Sequence, residues 1–273
     1  MNSNNPTIAV VVQARMSSSR LPGKVMLPIL GETLLFRMVE RLKRIKFPVN
    51  IIVASSKEKK DEVIKAFCSE KKIAFYAGEL EDLLDRHYQV GLLTRADAVI
   101  KIPSDCPLID PKLIDQVIDY YLKNQQEFDF ISNLHPATYP DGNDVELMTF
   151  SALEKAWYEA KRPLEREHTT PYFWENPDKF RLANLTWETG LDYSMSHRFT
   201  IDYTEDYLFI KRVFEELYPK NVAFSMEDIL KLIQLKPEIY DLNKQYAGVN
   251  WYRNHLDELT TVSSQQTKKS PTS

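Results

Sequence analysis

Apolar positions follow two rhythms along the chain. Short, almost unbroken apolar runs at residues 8–12, 51–54, 73–76 and 98–102 read as strands buried on both faces. Between them, apolar residues recur at intervals of three and four among charges. Leu34, Leu35, Met38, Val39 and Leu42 predict a helix over 33–44, and Val63, Ile64 and Phe67 predict one over 57–71. Further helices are predicted over 81–93 and 111–122, the second with Pro111 in its first turn and Asp110 as its cap. Residues 128–131 are a fifth strand candidate. Repeated β-α-β order predicts an α/β fold, a mostly parallel sheet with helices on both faces and a ligand crevice at the carboxyl ends of its strands.

From Ser132 the rhythm breaks. Residues 133–143 are polar and aromatic with two prolines. Helices are predicted over 151–161, 166–174, 204–217, 226–235 and 239–246, and strands over 181–185 and 198–202. The expected organisation is a disordered N-terminus at 1–7, then one domain over 8–257. Its insertion at about 133–197 is expected to form an acceptor pocket and a candidate dimer surface. A disordered tail is expected over 258–273, where 263–273 is rich in Ser, Thr, Gln and Lys and short of residues that could pack.

Composition narrows the function classes. Of 273 residues, 43% are hydrophobic and 27% charged, ordinary values for a globular protein, and the formal net charge is −4. A general nucleic-acid binder should be basic overall, so no nucleic-acid partner is expected. No apolar run reaches the ~18 residues needed to span a bilayer, and no membrane role is expected. Cys68 and Cys106 show no metal-type spacing, and no charged-then-apolar leader precedes Ile8, so the expected location is the reducing cytoplasm.

Three stretches carry candidate chemistry. The first follows the opening strand: Arg15, Arg20 and Lys24 place three cations within ten residues, beside three serines and a Pro22-Gly23 turn. A basic loop at the carboxyl end of the first strand suits a polyanion. The second is Asp105, just beyond the strand at 98–102, and the third is Asp202, at the end of the strand predicted over 198–202. Glu205 and Asp206 are explained by the helix they open. Asp105 and Asp202 could clamp Mg²⁺ against a triphosphate held by Arg15, Arg20 and Lys24, an arrangement suited to phosphoryl or nucleotidyl transfer. Asp141, Asp144 and Glu146 form a further cluster, whose mutual repulsion calls for a cation or a hydroxyl-rich ligand.

The stretch QARMSSSRLPGK, followed by SDCPLID and TIDYTED, resembles the cytidylyltransferases that make CMP-activated sugar acids. It is most like the branch named after spore coat polysaccharide biosynthesis protein F, with the deoxy-manno-octulosonate and acylneuraminate enzymes more distant. The resemblance covers about 8–217 and implies a GT-A-like nucleotidyltransferase fold, Mg²⁺ as cofactor, CTP and a sugar-acid-like molecule as substrates, and a homodimer. By it, Arg15 and Lys24 bind CTP phosphates, Gln13, Ala14 and Arg15 border the base, and Asp105 and Asp202 hold the metal. Ser19, Arg20, Gly23 and Ser104 complete the nucleotide site, with Gly78, Asp82 and Arg86 at its rim, although Asp82 and Arg86 could equally be a helix-surface pair. Tyr139, Asp141, Asp144, Glu146, Glu167 and His168 are implied for the acceptor. The chain departs from the branch at Ser104, where Gly is commoner, and at Tyr203, where Thr is. The resulting reading is a cytidylyltransferase of surface polysaccharide synthesis that releases pyrophosphate. A different nucleotide, a non-sugar acceptor, or a non-catalytic nucleotide-binding subunit are its alternatives.

Overall fold

The computed structural model describes residues 6–270. In chain order its elements are β1 (Ile8–Gln13), β2 (Pro28–Ile29), β3 (Glu32–Thr33), α1 (Leu34–Leu42), β4 (Val49–Ser56), α2 (Glu62–Glu70), β5 (Ala74–Gly78), α3 (Leu83–Thr94) and β6 (Ala98–Pro103). There follow α4 (Pro111–Lys123), β7 (Phe130–Ser132), β8 (Glu146–Thr149), α5 (Phe150–Glu159), α6 (Pro163–His168), α7 (Pro171–Trp174), β9 (Leu182–Asn184), α8 (Thr204–Leu217), α9 (Met226–Leu235) and α10 (Pro237–Tyr240).

One sheet runs in the order β5-β4-β1-β6-β8-β7-β9. At its centre β1 pairs in parallel with β4 and β6, which puts Gln13 opposite both Ala54 and Pro103. Successive side chains of a strand point to opposite faces, and here both faces are covered. Ile8, Val10 and Val12 enter one core with α1, α4, α8 and α9, while Ala9 and Val11 enter another with α3, α5 and α7. That double burial is why β1 is apolar throughout. Asp110 caps α4 as expected, accepting from Lys112 N at 3.0 Å, and its other oxygen accepts from Met226 N at 2.7 Å to tie α4 to α9.

Several expectations are corrected. Residues 198–202 do not form a strand: one isolated bridge joins Arg198 to Asp141, and Ile201 N donates to Asp105 O at 2.8 Å. The segment bonds to the loops at Asp141 and Asp105, and its apolar residues Phe199 and Ile201 are buried in the first core without joining the sheet. β8 was not anticipated, because four residues opening on Glu146 carry too little alternation, yet it lies antiparallel against β6. The single helix expected over 166–174 is two, α6 and α7, separated where Thr169 adopts φ 70° and Pro171 opens a new first turn. The helix expected over 239–246 ends at Tyr240, and a separate 3-10 turn covers Lys244–Tyr246.

The expected disordered ends divide likewise. Residues 1–5 and 271–273 lie outside the described residues. Within 258–270, Leu259, Val262 and Thr267 are buried, and Glu175 accepts hydrogen bonds from the amides of Thr260 and Thr261 at 2.8 Å each, while most of the remaining residues are exposed. Among the described residues no helix is long and apolar enough to cross a membrane.

Candidate active site

The carboxyl ends of β1 and β6 are neighbours, and the loops leaving them meet at a cavity of about 270 Å³. After Gln13 the chain makes one more sheet contact, from Ala14 N to Ala54 O at 3.0 Å, then turns away. Buried Asp61 holds the turn by accepting from Met16 N at 2.7 Å, and Gly23 N closes it by donating to Met16 O at 3.0 Å. Gly23 has φ 69°, a conformation that costs glycine little. The turn returns Lys24 to the cavity.

Lys24 Nζ donates to Ile201 O at 2.6 Å, Asp202 Oδ1 at 2.9 Å and Asp105 Oδ2 at 3.1 Å, so all three of its protons are used. Burial disfavours its charge, but Asp105 and Asp202 more than offset this and hold the ammonium above its ordinary pKa. Asp202 also receives Arg20 at 2.7 Å and Arg198 at 2.9 Å. Burial pushes its carboxyl up, and Lys24, Arg198 and Arg20 together outweigh burial and hold it below the usual range.

Arg198 is the buried hub of this network. Its side chain is 1% exposed, and its guanidinium donates to Asp141 Oδ2, Asp202 Oδ2, both oxygens of Asp206 and Val249 O. Asp206 in turn accepts from the amides of Asp202 and Tyr203 at 2.8 and 3.0 Å, so it both caps α8 and anchors Arg198. A close backbone crossing sets Asp141 beside Arg198: Phe199 N donates to Asp141 O at 2.7 Å. Gly142, at φ 98°, permits the crossing, since a Cβ there would come within 2.6 Å of the Phe199 carbonyl carbon.

The carboxylates of the 141–146 cluster differ in their partners. Asp141 is pushed up to about 6, by burial first and then by Asp202, Asp105 and Asp206, against the pull of Arg198. Asp144 accepts from Gly142 N at 3.3 Å and has no ion-pair partner among the described residues; burial, then Asp141, Glu146 and Asp105, push it well above the carboxylate range. Glu146 pairs with Lys101 across β8 and β6 at 2.7 Å, and the same ammonium donates to His168 O and Thr170 Oγ1 at 3.1 Å each. His168 stacks on Trp251 with centroids 4.0 Å apart, and burial, followed by Lys101, pushes it down to about 3. It is therefore neutral at ordinary pH.

Two cations face the cavity without a carboxylate partner among the described residues. Arg15 is exposed. Arg86 is 2% exposed, donates from Nη2 to Leu80 O at 2.8 Å and leaves Nε without a hydrogen-bond partner; burial, then Arg15, pushes it down to about 10.

The structure brings most of the sequence-derived site together. Gln13, Ala14, Arg15, Ser19, Arg20, Lys24, Arg86, Ser104, Asp105, Asp141, Asp144, Glu146, Glu167, His168 and Asp202 line the cavity. Gly23, Gly78, Asp82 and Tyr139 do not. Gly23 shapes the loop, and Gly78 lies beneath the Arg86 stem, where a Cβ would come within 2.5 Å of Arg86 Cγ. Asp82 caps α3 and binds Arg166 Nε at 3.0 Å, so the expected Asp82–Arg86 pair is replaced by a tie between helices. Tyr139 is core, stacked on Trp187. Of the two departures, Ser104 N donates to Gln13 O at 3.1 Å and joins the strand ends, while Tyr203 stacks on Tyr246 and lies 5.5 Å below the Arg20 guanidinium.

The sequence reading missed Lys101, His135, Thr170, Trp174, Arg198, Asn250, Trp251 and Tyr252 as cavity residues. Lys101 had a signal, since a lysine inside an otherwise apolar strand must find a carboxylate. Arg198 had one too, lying four and eight residues before Asp202 and Asp206. The aromatic pair at 251–252 had none.

Asp105 and Asp202 both line the cavity and share the Lys24 ammonium. Asp105 Oδ1 has no cation partner among the described residues and could offer a hard oxygen to a divalent cation. Both oxygens of Asp202 are engaged, Oδ1 by Lys24 and Arg20 and Oδ2 by Arg198, and would have to exchange a partner to join it. Among the described residues no three His, Cys, Asp or Glu side chains converge on a metal-sized site, so a cation here would complete its shell with ligand oxygens or water, as Mg²⁺ characteristically does.

Comparison with known proteins agrees with this geometry. A family model described as cytidylyltransferase matches residues 9–245. The solved structure of a cytidylyltransferase from Leptospira borgpetersenii serovar Hardjo-bovis superposes with a TM-score of 0.81 at 35% identity, covering 86% of this chain and 97% of that one. The spore coat polysaccharide biosynthesis protein SpsF of Bacillus subtilis is 27% identical over 85% of this chain and 95% of its own length. A 3-deoxy-manno-octulosonate cytidylyltransferase of Geobacter metallireducens is 30% identical over 41% of this chain and 43% of its own. The mostly parallel α/β sheet is thus a nucleotidyltransferase fold, and the chain belongs to the cytidylyltransferase family.

Proposed function

We propose that this protein transfers CMP from CTP to a sugar acid in an Mg²⁺-dependent reaction that releases pyrophosphate, as a step in surface polysaccharide synthesis. The observation that carries the reading is the Asp105–Lys24–Asp202 bridge at the adjacent ends of β1 and β6, facing two cations, Arg15 and Arg86, that have no carboxylate of their own. A triphosphate supplies the negative charge those cations lack. The names of the Bacillus subtilis and Geobacter metallireducens relatives support the sugar acid and the polysaccharide.

In this reading an acceptor hydroxyl attacks the α-phosphorus, the bond to the bridging oxygen of the β-phosphate breaks, and pyrophosphate leaves. Arg15 and Arg20 lie on the phosphate side, where preorganised positive charge stabilises the crowded phosphorus centre. Lys24 fixes Asp105 and Asp202 in place. Mg²⁺, when held by these two aspartates, would offset charge on the phosphates. The unpaired thiols Cys68 and Cys106, both buried, suit a reducing cytoplasm, and the insertion at 133–197 is the dimer surface of this reading.

Pyrophosphate release tests it, with CTP, Mg²⁺ and either 3-deoxy-manno-octulosonate or N-acetylneuraminate. The expected result is release that needs both CTP and one sugar acid and is lost in Asp105→Asn. Release with another nucleoside triphosphate would replace the nucleotide assignment. CTP binding without release for any acceptor would favour a non-catalytic subunit. Sedimentation velocity showing only the mass of one chain would remove the dimer.

A further inference from the structure

Residues 247–262 lie beyond the span 9–245 that matches the family, yet they build one wall of the cavity. Asn250, Trp251 and Tyr252 face inward. The segment has little regular structure and is held from its sides: Arg162 Nη1 donates to Glu258 O at 3.0 Å, and Glu175 receives Thr260 and Thr261. Lys268 N donates to Gly248 O at 2.7 Å, Asn250 Nδ2 donates to Gln266 O at 2.8 Å, and Leu259 and Val262 are buried in the second core. This is a clasped strap, fixed on both flanks and carrying aromatic rings on its inner face.

Its inner contacts fall on the acceptor side. The Trp251 ring lies parallel to His168 at 4.0 Å, and Tyr252 sits 6.3 Å from both His135 and Trp174, centroid to centroid. The same cavity wall carries Asp144 and Glu167, neither with an ion-pair partner among the described residues. A flat aromatic face fits the C–H face of a sugar ring, and unpaired carboxylates accept hydrogen bonds from its hydroxyls.

Resting on the sugar-acid reading, we infer that residues 247–262 are an acceptor strap. Trp251 and Tyr252 form the wall on which a polyhydroxylated ring packs, and the strap shields bound CTP from water until that ring arrives. The roles of Trp251 and Tyr252 are specificity and positioning.

The test compares wild type, Trp251→Ala and Trp251→Phe in pyrophosphate release, with 3-deoxy-manno-octulosonate as the acceptor probe. Trp251→Ala is expected to raise the acceptor KM at least tenfold while the CTP KM stays within twofold, and Trp251→Phe is expected to recover most of the loss. Equal changes in both KM values, or none in either, overturn the strap. Should wild type turn over no sugar acid, the sugar-acid reading fails separately. The strap is then judged on the slow release from CTP and Mg²⁺ alone, where water is the acceptor. Trp251→Ala is expected to speed that release at least threefold, and an unchanged rate overturns the proposal. A CTP-induced rise in melting temperature in both variants confirms that they are folded.

Discussion

The ammonium of Lys24 holds two carboxylates that lie far apart in the sequence, and Arg198 holds the second of them from behind. Lys24→Ala should therefore release Asp105 and Asp202 from their common cation. Single-turnover pyrophosphate release is expected to fall about 10²- to 10³-fold, the range for removing one preorganised donor. Arg198 carries a different burden. Replacing it with Met leaves Asp141, Asp202 and Asp206 without their shared partner, and urea unfolding should show a loss of about 3–5 kcal/mol. Asp141 adds a pH signature. Its ordinary value is 3.8 and its folded value about 6, so between those values the unfolded chain has released this proton while the folded chain keeps it. Its contribution to stability is full below about pH 4 and is lost as pH rises towards 6, by up to about 3 kcal/mol. Melting temperatures of wild type and Asp141→Asn, whose neutral amide resembles the protonated acid, should lie closest near pH 4 and separate as pH rises to 7, the wild type losing stability relative to the variant. Arg15, Lys24 and Asp105 were legible because they follow strand ends in dense polar motifs, and Asp202 because it stands in such a motif just before α8. Arg198 opens the stretch read as a strand, but its role depends on three carboxylates brought together only by folding.

Elements fix where those residues can act. Parallel pairing of β1 with β6 puts two loop exits side by side, which is why residues some ninety positions apart, Gln13 and Ser104, are joined by a 3.1 Å hydrogen bond. These strands were readable because burial on both faces leaves an unbroken apolar run. The extended segment at 198–202 was misread as a strand for the same reason: its apolar residues are buried, but against loops and helices. Gly142 is the pivot of that segment. Gly142→Ala puts a Cβ into the Phe199 backbone at a positive φ, so thermal or urea unfolding should show a loss above about 2 kcal/mol, with turnover reduced as Asp141 and Arg198 separate. A neutral result would mean that the crossing can shift without disturbing the network.

At the scale of the whole molecule, two cores clamp the sheet, and the cavity lies at the carboxyl rim of β1 and β6. Among the described residues, ion-paired side chains share its wall with two cations and two carboxylates that have no such partner and with aromatic rings; in the proposed reading the cations take the nucleotide and the carboxylates and rings take the acceptor. This polarity was only half legible. The basic loop announced the nucleotide side, whereas the aromatic wall comes from a segment whose composition gave no reason to pack until its clasp to Glu175 was seen.

The most direct test of the central claim is the thermal shift of wild type and Asp105→Asn with CTP, UTP, GTP and ATP, each with and without Mg²⁺. A ligand that binds only the folded state stabilises it by about 2.7 kcal/mol at a hundredfold excess over its Kd, a shift of several degrees for a chain of this size. The account expects a shift selective for CTP and enhanced by Mg²⁺, with the enhancement gone in Asp105→Asn. No shift with any nucleotide, or the same Mg²⁺ enhancement in the variant, would contradict it.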